Sequence, residues 1–269
     1  MTTAINSDDE EINPVTMLLL NDTNDSDNDD TKIIELLPTT IQHKTYLLNS
    51  VNSTVVIRQL PSQGISFQLW PAADTFVKLL DGYNASNTDK FSACLTSFVN
   101  RRSRLRILEV GSGTGIVGIS AAAILGADVT VTDLHNVLPN LKFNADANAG
   151  VIGPRGGGVH VAALSWGEID EMEVIGREYD MIIGSDVVYH DHLYEPLIQT
   201  LKFLLLSEND NGEKVFLMGH LRRWKKESGF FKKARKWFRV DLIHEDGPSS
   251  VSRTGVVVYR FARKDSVRG

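Results

Sequence analysis

The chain has 269 residues, 42% apolar and 23% charged, with a formal net charge of −6. These proportions suit a globular protein with a sizeable core and exclude a wholly disordered or collagen-like chain. A single cysteine, Cys94, excludes a disulfide framework and a zinc site built on paired cysteines. No apolar run approaches the roughly 18 residues of a membrane span. The first basic residue is Lys32, so the basic start of a secretion signal is missing and the segment is too acidic for a transit peptide. A soluble protein of a reducing compartment is expected, in the cytoplasm and with the nucleus also open.

The charge is unevenly spread. Nine of the 34 acids lie within residues 1–31, with no Lys or Arg among them, so the remaining 25 acids face all 28 bases. A segment this acidic and this poor in apolar residues cannot bury enough surface to offset its ordering entropy. Residues 1–50 are therefore expected to be an acidic, largely disordered segment, with Met17-Leu18-Leu19-Leu20 as a short exception, and residues 51–269 to be the folded domain.

Strand-like and helix-like segments then alternate. Val55–Arg58 and Ile65–Leu69 flank Pro61-Ser62-Gln63-Gly64, which predicts a hairpin. Pro71 opens a helix to Leu80, and a second covers Lys90–Asn100. Arg106–Val110 is a buried strand running into Gly111-Ser112-Gly113-Thr114-Gly115, followed by a small-residue apolar helix to Leu125. Strands are expected at 128–132, 159–163, 179–183 and 213–219, with helices at 136–149 and near 193–206. Gly156-Gly157-Gly158 reads as a flexible loop. A basic helix over Trp224–Trp237 precedes two closing strands, Phe238–His244 and Gly255–Phe261. Strands separated by helices imply right-handed crossovers and a parallel sheet covered on both faces. The last two strands have no helix between them, so they form an antiparallel edge.

The glycine turn sits at a strand-to-helix switch, where ligands of open α/β sheets bind. Glycines there permit positive φ and a close ligand approach. Gly113-x-Gly115-x-x-Gly118 also satisfies the dinucleotide fingerprint, so the glycines alone leave the ligand open. Glu109 stands two residues before the first glycine, where a carboxylate can order the turn. Asp133 follows Gly113 by 20 residues at the end of the next strand, where a carboxylate accepts ribose hydroxyls. A second constellation, Ser185-Asp186-Val187-Val188-Tyr189, ends the fourth strand at the same edge. A carboxylate there can hold an approaching ammonium, and a tyrosine offers a π-face and a hydroxyl to orient an amine. Spacing alone fits equally well with Asp186 as a helix cap and Tyr189 as a core residue.

Together these residues resemble the seven-β-strand protein-lysine methyltransferases of the methyltransferase family 16, methyltransferase-like 21 type. The likeness runs over residues 64–261. It is carried by Leu69-Trp70-Pro71-Ala72-Ala73, the run Glu109 to Gly115, Val131-Thr132-Asp133, Leu141 with Asn144 and Asn148, Ser165-Trp166-Gly167, and Ser185-Asp186-Val187-Val188-Tyr189. The resemblance implies a Rossmann-like seven-stranded sheet with helices on both faces, an antiparallel last strand and a preceding β-hairpin. It implies S-adenosyl-L-methionine as cofactor, touched by Trp70, Glu109, Gly111, Ser112, Gly113, Asp133, Trp166 and Ser185. Asp186 and Tyr189 would be the catalytic pair at the acceptor channel. It implies transfer of methyl groups to the lysine ε-amine of a protein substrate, such as a chaperone or a translation factor. No metal and no membrane are called for, and a monomer is expected. The Gly153-Pro154-Arg155-Gly156-Gly157-Gly158 loop looks longer and looser than the family pattern.

Other readings stay open. One is a methyltransferase acting on a small molecule or RNA. Nucleic acid is disfavoured because Ser185-Asp186-Val187-Val188 lacks the prolines expected for work on a nucleobase amine. Another is a silent cofactor-binding interaction protein. A nicotinamide oxidoreductase is disfavoured by the terminal antiparallel strands. His190-Asp191-His192 lacks further metal ligands at suitable spacing and reads as a solvated loop. Nine bases between Arg222 and Arg239 read as the wet face of an amphipathic helix whose stripe is Phe230, Ala234, Trp237 and Phe238. An acidic partner, the chain's own tail included, is the alternative.

Overall fold

The computed structural model describes residues 41–101, 103–206, 213–222, 228–246 and 255–264. A two-stranded hairpin of β1 (Gln42–Leu48) and β2 (Ser53–Gln59) precedes two helices, α1 (Pro71–Asp81) and α2 (Lys90–Val99). There follow β3 (Arg106–Glu109), α3 (Ile116–Leu125), β4 (Asp128–Asp133), α4 (Leu138–Ala147), a short α5 (Ala149–Ile152) and β5 (Gly158–Ala163). The chain then runs through α6 (Ile169–Ile175), β6 (Met181–Ser185), α7 (Tyr194–Leu205), β7 (Val215–Leu221), α8 (Ser228–Ala234), β8 (Phe238–Glu245) and β9 (Val256–Arg263).

The seven-stranded sheet has the order β5-β4-β3-β6-β7-β9-β8. The pairs from β5 to β7 are parallel, and β9 enters antiparallel to both β7 and β8. Strand side chains alternate between two cores because successive residues face opposite sides of a sheet. Ile107, Met181, Ile183 and Leu217 join the core under α1 to α3, and Leu108, Ile182, Phe216 and Met218 join the core under α7 and α8. The chain passes outward from β3 to β5 and then returns to β6 on the other side of β3. That reversal opens a crevice at the carboxyl ends of β3, β4 and β6.

α3 is buried on every side from Ile116 to Ile124. A helix apolar all round needs cover beyond the sheet. α1 and the hairpin supply it, with Leu48, Val55 and Ile57 packed into the same core. The hairpin is tied down by α4. Asn144 Oδ1 accepts the Arg58 N–H at 2.8 Å and Asn148 Oδ1 accepts the Val56 N–H at 2.9 Å. Their amides donate back to the Arg58 and Val56 carbonyls at 3.1 and 2.9 Å, and Asn140 Oδ1 accepts Arg58 Nε at 2.8 Å. Asparagines at i, i+4 and i+8 lie along one helix face. Here they act as a substitute strand that satisfies the outer edge of β2.

Four expectations are corrected. Val55–Arg58 pairs with β1, not with Ile65–Leu69. Residues 61–63 and 65–67 form 3-10 turns instead, and the Gln59 side chain takes the Leu69 N–H at 2.8 Å. The strand Gln42–Leu48 lies within the segment expected to be disordered, so order begins before residue 51; residues 1–40 lie outside the described residues. The glycine-rich loop before β5 is not loose, because Arg155 donates to the Ile124 and Ser50 carbonyls at 2.8 and 2.7 Å. Among the described residues the basic helix covers Ser228–Ala234 and ends before Trp237. Trp237 leaves the apolar stripe and is 45% exposed, with Lys202 Nζ 3.5 Å over its ring. Trp224 and the bases at 223, 225 and 226 lie outside the described residues.

Candidate functional site

The glycine turn is laced to the end of β4. Ser112 N–H donates to the Thr132 carbonyl at 2.8 Å, Thr132 Oγ1 donates to the Glu109 carbonyl at 2.7 Å, and Gly113 N–H donates to Asp133 Oδ2 at 2.7 Å. Gly111 and Gly113 adopt φ of +61° and +54°. A Cβ on Gly111 would stand 2.8 Å from the Trp166 ring, and one on Gly113 would stand 3.0 Å from the Ser66 carbonyl oxygen. Both positions therefore require glycine twice over, for conformation and for space. The contacts also show that the Trp166 ring packs against Gly111 and the segment around Ser66 against Gly113.

A cavity opens there. Its lining includes Trp70, Gly111, Ser112, Gly113, Asp133, Trp166, Ser185, Asp186 and Tyr189. Nine of the ten candidate residues are thus brought to one site by β3, β4, β6 and the loops before α1 and α6. The tenth, Glu109, lies beneath the turn. It is fully buried, and its Oε2 accepts the Gly118 N–H at 3.1 Å, tying β3 to the first turns of α3. Burial pushes its carboxyl up to about 8. Asp133 faces the cavity and is also buried; desolvation pushes it up to about 6, against the two backbone N–H groups of Gly113 and Leu134 that favour its charged form.

Asp186 takes a left-handed backbone, φ +54°. Its carboxylate accepts from two backbone donors, Ala72 N–H at 3.1 Å and Leu221 N–H at 2.9 Å. It thereby pins the start of α1, and the Trp70 wall with it, to the ends of β6 and β7. The Trp70 indole donates to the Ile65 carbonyl at 3.0 Å, which fixes the same wall. Tyr189 stands at the mouth, 37% exposed. Its hydroxyl is pushed up to about 12 by burial and by the nearby Asp133 charge, so it stays a neutral phenol at physiological pH.

Sequence reading missed several parts of the site. Ser66 and Leu69 form the near wall, Leu134 stands 48% exposed at the rim, and His190 lines the cavity where a solvated loop was expected. The asparagine spacing of α4 was the one signal that could have foretold how the hairpin docks. Among the described residues no three His, Cys, Asp or Glu side chains converge as metal ligands.

The strand order, the glycine turn and a strand-end carboxylate 20 residues on define a class I S-adenosylmethionine-dependent methyltransferase. The residues fit that cofactor: a glycine turn lining the cavity, a buried acceptor for a diol in Asp133, and two indoles on the walls. The fold is shared with a transferase from Pyrococcus horikoshii, with a TM-score of 0.52 at 11% identity over 84% of this chain and 73% of that one. The lysine methyltransferase family model matches residues 49–237, and the chain belongs to that family. Its relatives include protein N-lysine methyltransferase METTL21A of Danio rerio, 36% identical over 163 residues, 60% of this chain and 67% of the relative. EEF1A lysine methyltransferase 3 of Mus musculus is 33% identical over 203 residues, 75% of this chain and 74% of the relative. The protein is an S-adenosylmethionine-dependent protein-lysine methyltransferase.

Proposed function

We propose that the protein methylates a lysine on a translation elongation factor of the EEF1A kind, acting as a monomer in the cytoplasm. The reading is supported by the mouse relative, whose name gives that substrate. It is also supported by a cavity whose mouth carries a neutral tyrosine beside a fixed carboxylate. A chaperone is the second substrate class to test.

When bound, S-adenosylmethionine would supply an electrophilic methyl to an amine lone pair, the carbon–sulfur bond breaking as the nitrogen–carbon bond forms and the sulfur leaving as a neutral thioether. Asp133 would hold the ribose hydroxyls, and Trp70, Trp166, Ser185 and the turn from Gly111 to Gly113 would shape the rest of the pocket. Glu109 acts from below by keeping the turn in register with α3. Asp186 and Tyr189 form the acceptor side. Asp186 fixes the wall and places a negative charge near the incoming ammonium, and Tyr189 orients the amine through its hydroxyl and ring face. Tyr189 does not take the proton, because a phenol near 12 is no base at neutral pH. The lysine proton leaves to water before attack. Burial of the amine favours that loss, and the Asp186 charge opposes it, so the acceleration comes chiefly from positioning.

The test is transfer of radiolabelled methyl into lysate and into purified elongation factor, with mass spectrometry of the labelled site. Methyllysine on the elongation factor supports the reading. Label on a chaperone, on RNA or on a small molecule overturns this substrate.

A further inference from the structure

The chain leaving Asp186 carries Tyr189, His190, Asp191 and His192. His190 is extended, with φ −118° and ψ 135°, and a 3-10 turn over Asp191–Leu193 follows, closed by Leu193 N–H on the His190 carbonyl at 3.2 Å. That turn folds His192 back onto His190. Their rings stack with centroids 5.4 Å apart and planes 18° from parallel. His190 also meets Tyr189 edge-on, 4.9 Å between centroids at 61°. Tyr189 and His190 line the cavity, while His192 is exposed. Three rings therefore stand in file from the cavity to solvent. The hydrophobic core does not account for them, because Val187, Val188 and Tyr194 supply this segment's buried contacts. Metal binding does not either, since no third ligand converges on the two imidazoles among the described residues.

We infer that this file of rings is the outer wall of the acceptor passage, and that His190 sets how tightly a lysine and its methylated forms are held there. The inference rests on the lysine reading above and names a specificity residue for that site. An ammonium moving along aromatic faces is attracted by their quadrupoles. Each added methyl group removes an N–H donor and spreads the charge over a larger, more apolar head. A wall of ring faces holds such a head, whereas a wall of carboxylates or amides would lose a hydrogen bond at every step. His190 thus acts on substrate affinity and on progress from one methyl group to the next.

The test uses the full chain with His190→Ala, His190→Phe and His192→Ala. It reads KM and kcat for the protein substrate, the mono-, di- and trimethyl product ratio, and S-adenosylmethionine affinity by calorimetry. His190→Ala is expected to raise KM about 3- to 30-fold, as loss of a cation–π face does. It should leave kcat within about twofold, by the same argument, and shift product toward monomethyllysine. His190→Phe keeps a ring face and restores both. His192→Ala gives a smaller change in the same direction and serves if His190→Ala fails to fold. Unchanged KM in either alanine variant, or failure of phenylalanine to rescue, overturns the wall. A wild-type product other than methyllysine overturns the lysine reading; the wall is then judged on whether KM rises for the side chain that is labelled.

Discussion

The Asp186 carboxylate accepts the backbone N–H of Ala72 at 3.1 Å, across 114 positions of sequence. Its other oxygen accepts Leu221 N–H at 2.9 Å. One side chain at the end of β6 thus joins the start of α1, the end of β7 and the wall carrying Trp70. Asp186→Ala should remove both acceptors and cost about 2–6 kcal/mol of stability, because each orphaned donor costs about 1–3 kcal/mol. It should also lower cofactor affinity and turnover together, since the Trp70 wall loosens. Asp186→Asn tolerates the left-handed backbone but turns an NH2 toward one of the two donors, so it should recover only part of the loss. Thermal melts, calorimetry and methyl-transfer rates on the two variants check this.

If Asp133 holds the cofactor as proposed, its binding should depend on pH. Its carboxyl is pushed up to about 6, so the acceptor form is lost as pH falls through that value. S-adenosylmethionine affinity should be constant above pH 7 and weaken toward pH 5. Asp133→Ala should weaken it about 100-fold at pH 8, the loss of one to two hydrogen bonds to a charged acceptor, and should abolish the pH dependence. Calorimetric titrations at four pH values test both.

Glu109 predicts a slope in stability. Its folded value of about 8 lies above the ordinary 4.5, so the folded state holds this proton more tightly than the unfolded one. The associated stability is present in full below about pH 4.5 and is lost as pH rises through 8, with a slope of up to about 1.4 kcal/mol per pH unit. Glu109→Gln keeps an oxygen for the Gly118 N–H and has no charge to bury. It should melt no lower than wild type at pH 6 and several degrees higher at pH 9, by about 4–8 °C per kcal/mol in a small domain and less in a larger one.

The asparagine face of α4 predicts a loss confined to one side of the helix. Asn144→Leu leaves the Arg58 N–H and the Thr114 carbonyl unsatisfied, and leaves the Arg58 carbonyl with only the longer 3.4 Å bond from the Asn140 amide. It should destabilise the domain by about 3 kcal/mol or more. Lys142→Ala, on the exposed face of the same helix, should change stability by less than about 0.5 kcal/mol. Denaturant titrations of both separate the hairpin's docking from general helix propensity.

Most of the sheet was legible in the sequence. Arg106–Glu109 and Met181–Ser185 carry short buried apolar runs and Asp128–Asp133 alternates valine with threonine; each is β-rich, ends in a carboxylate or a serine and is bounded by glycine or loop residues, which marks central parallel strands. Gln42–Leu48 was not legible, because it is an edge strand whose residues alternate between half-buried and exposed. Ile169–Ile175 was missed for a related reason. It buries only Met172 and leaves Ile169 and Val174 exposed, so its apolar spacing marks no inner face. The hairpin's partner was misjudged because pairing is a choice between distant segments, and Pro61 favoured a 3-10 turn over the tight link a second strand would have needed.

The sequence by itself determined where the chain must turn and where its carboxylates stand. Glycine tolerance of positive φ and the end of a buried strand are local properties, and they placed Gly111, Gly113, Glu109, Asp133 and Asp186 correctly at one edge. The tertiary structure alone decided which way those carboxylates point. Glu109 turns under the helix to reach Gly118, Asp133 opens to the cavity, and Asp186 binds backbone at Ala72 and Leu221. A side chain's direction depends on the donors that reach it, and the donors that fix Asp186 come from elements folded in from far along the chain.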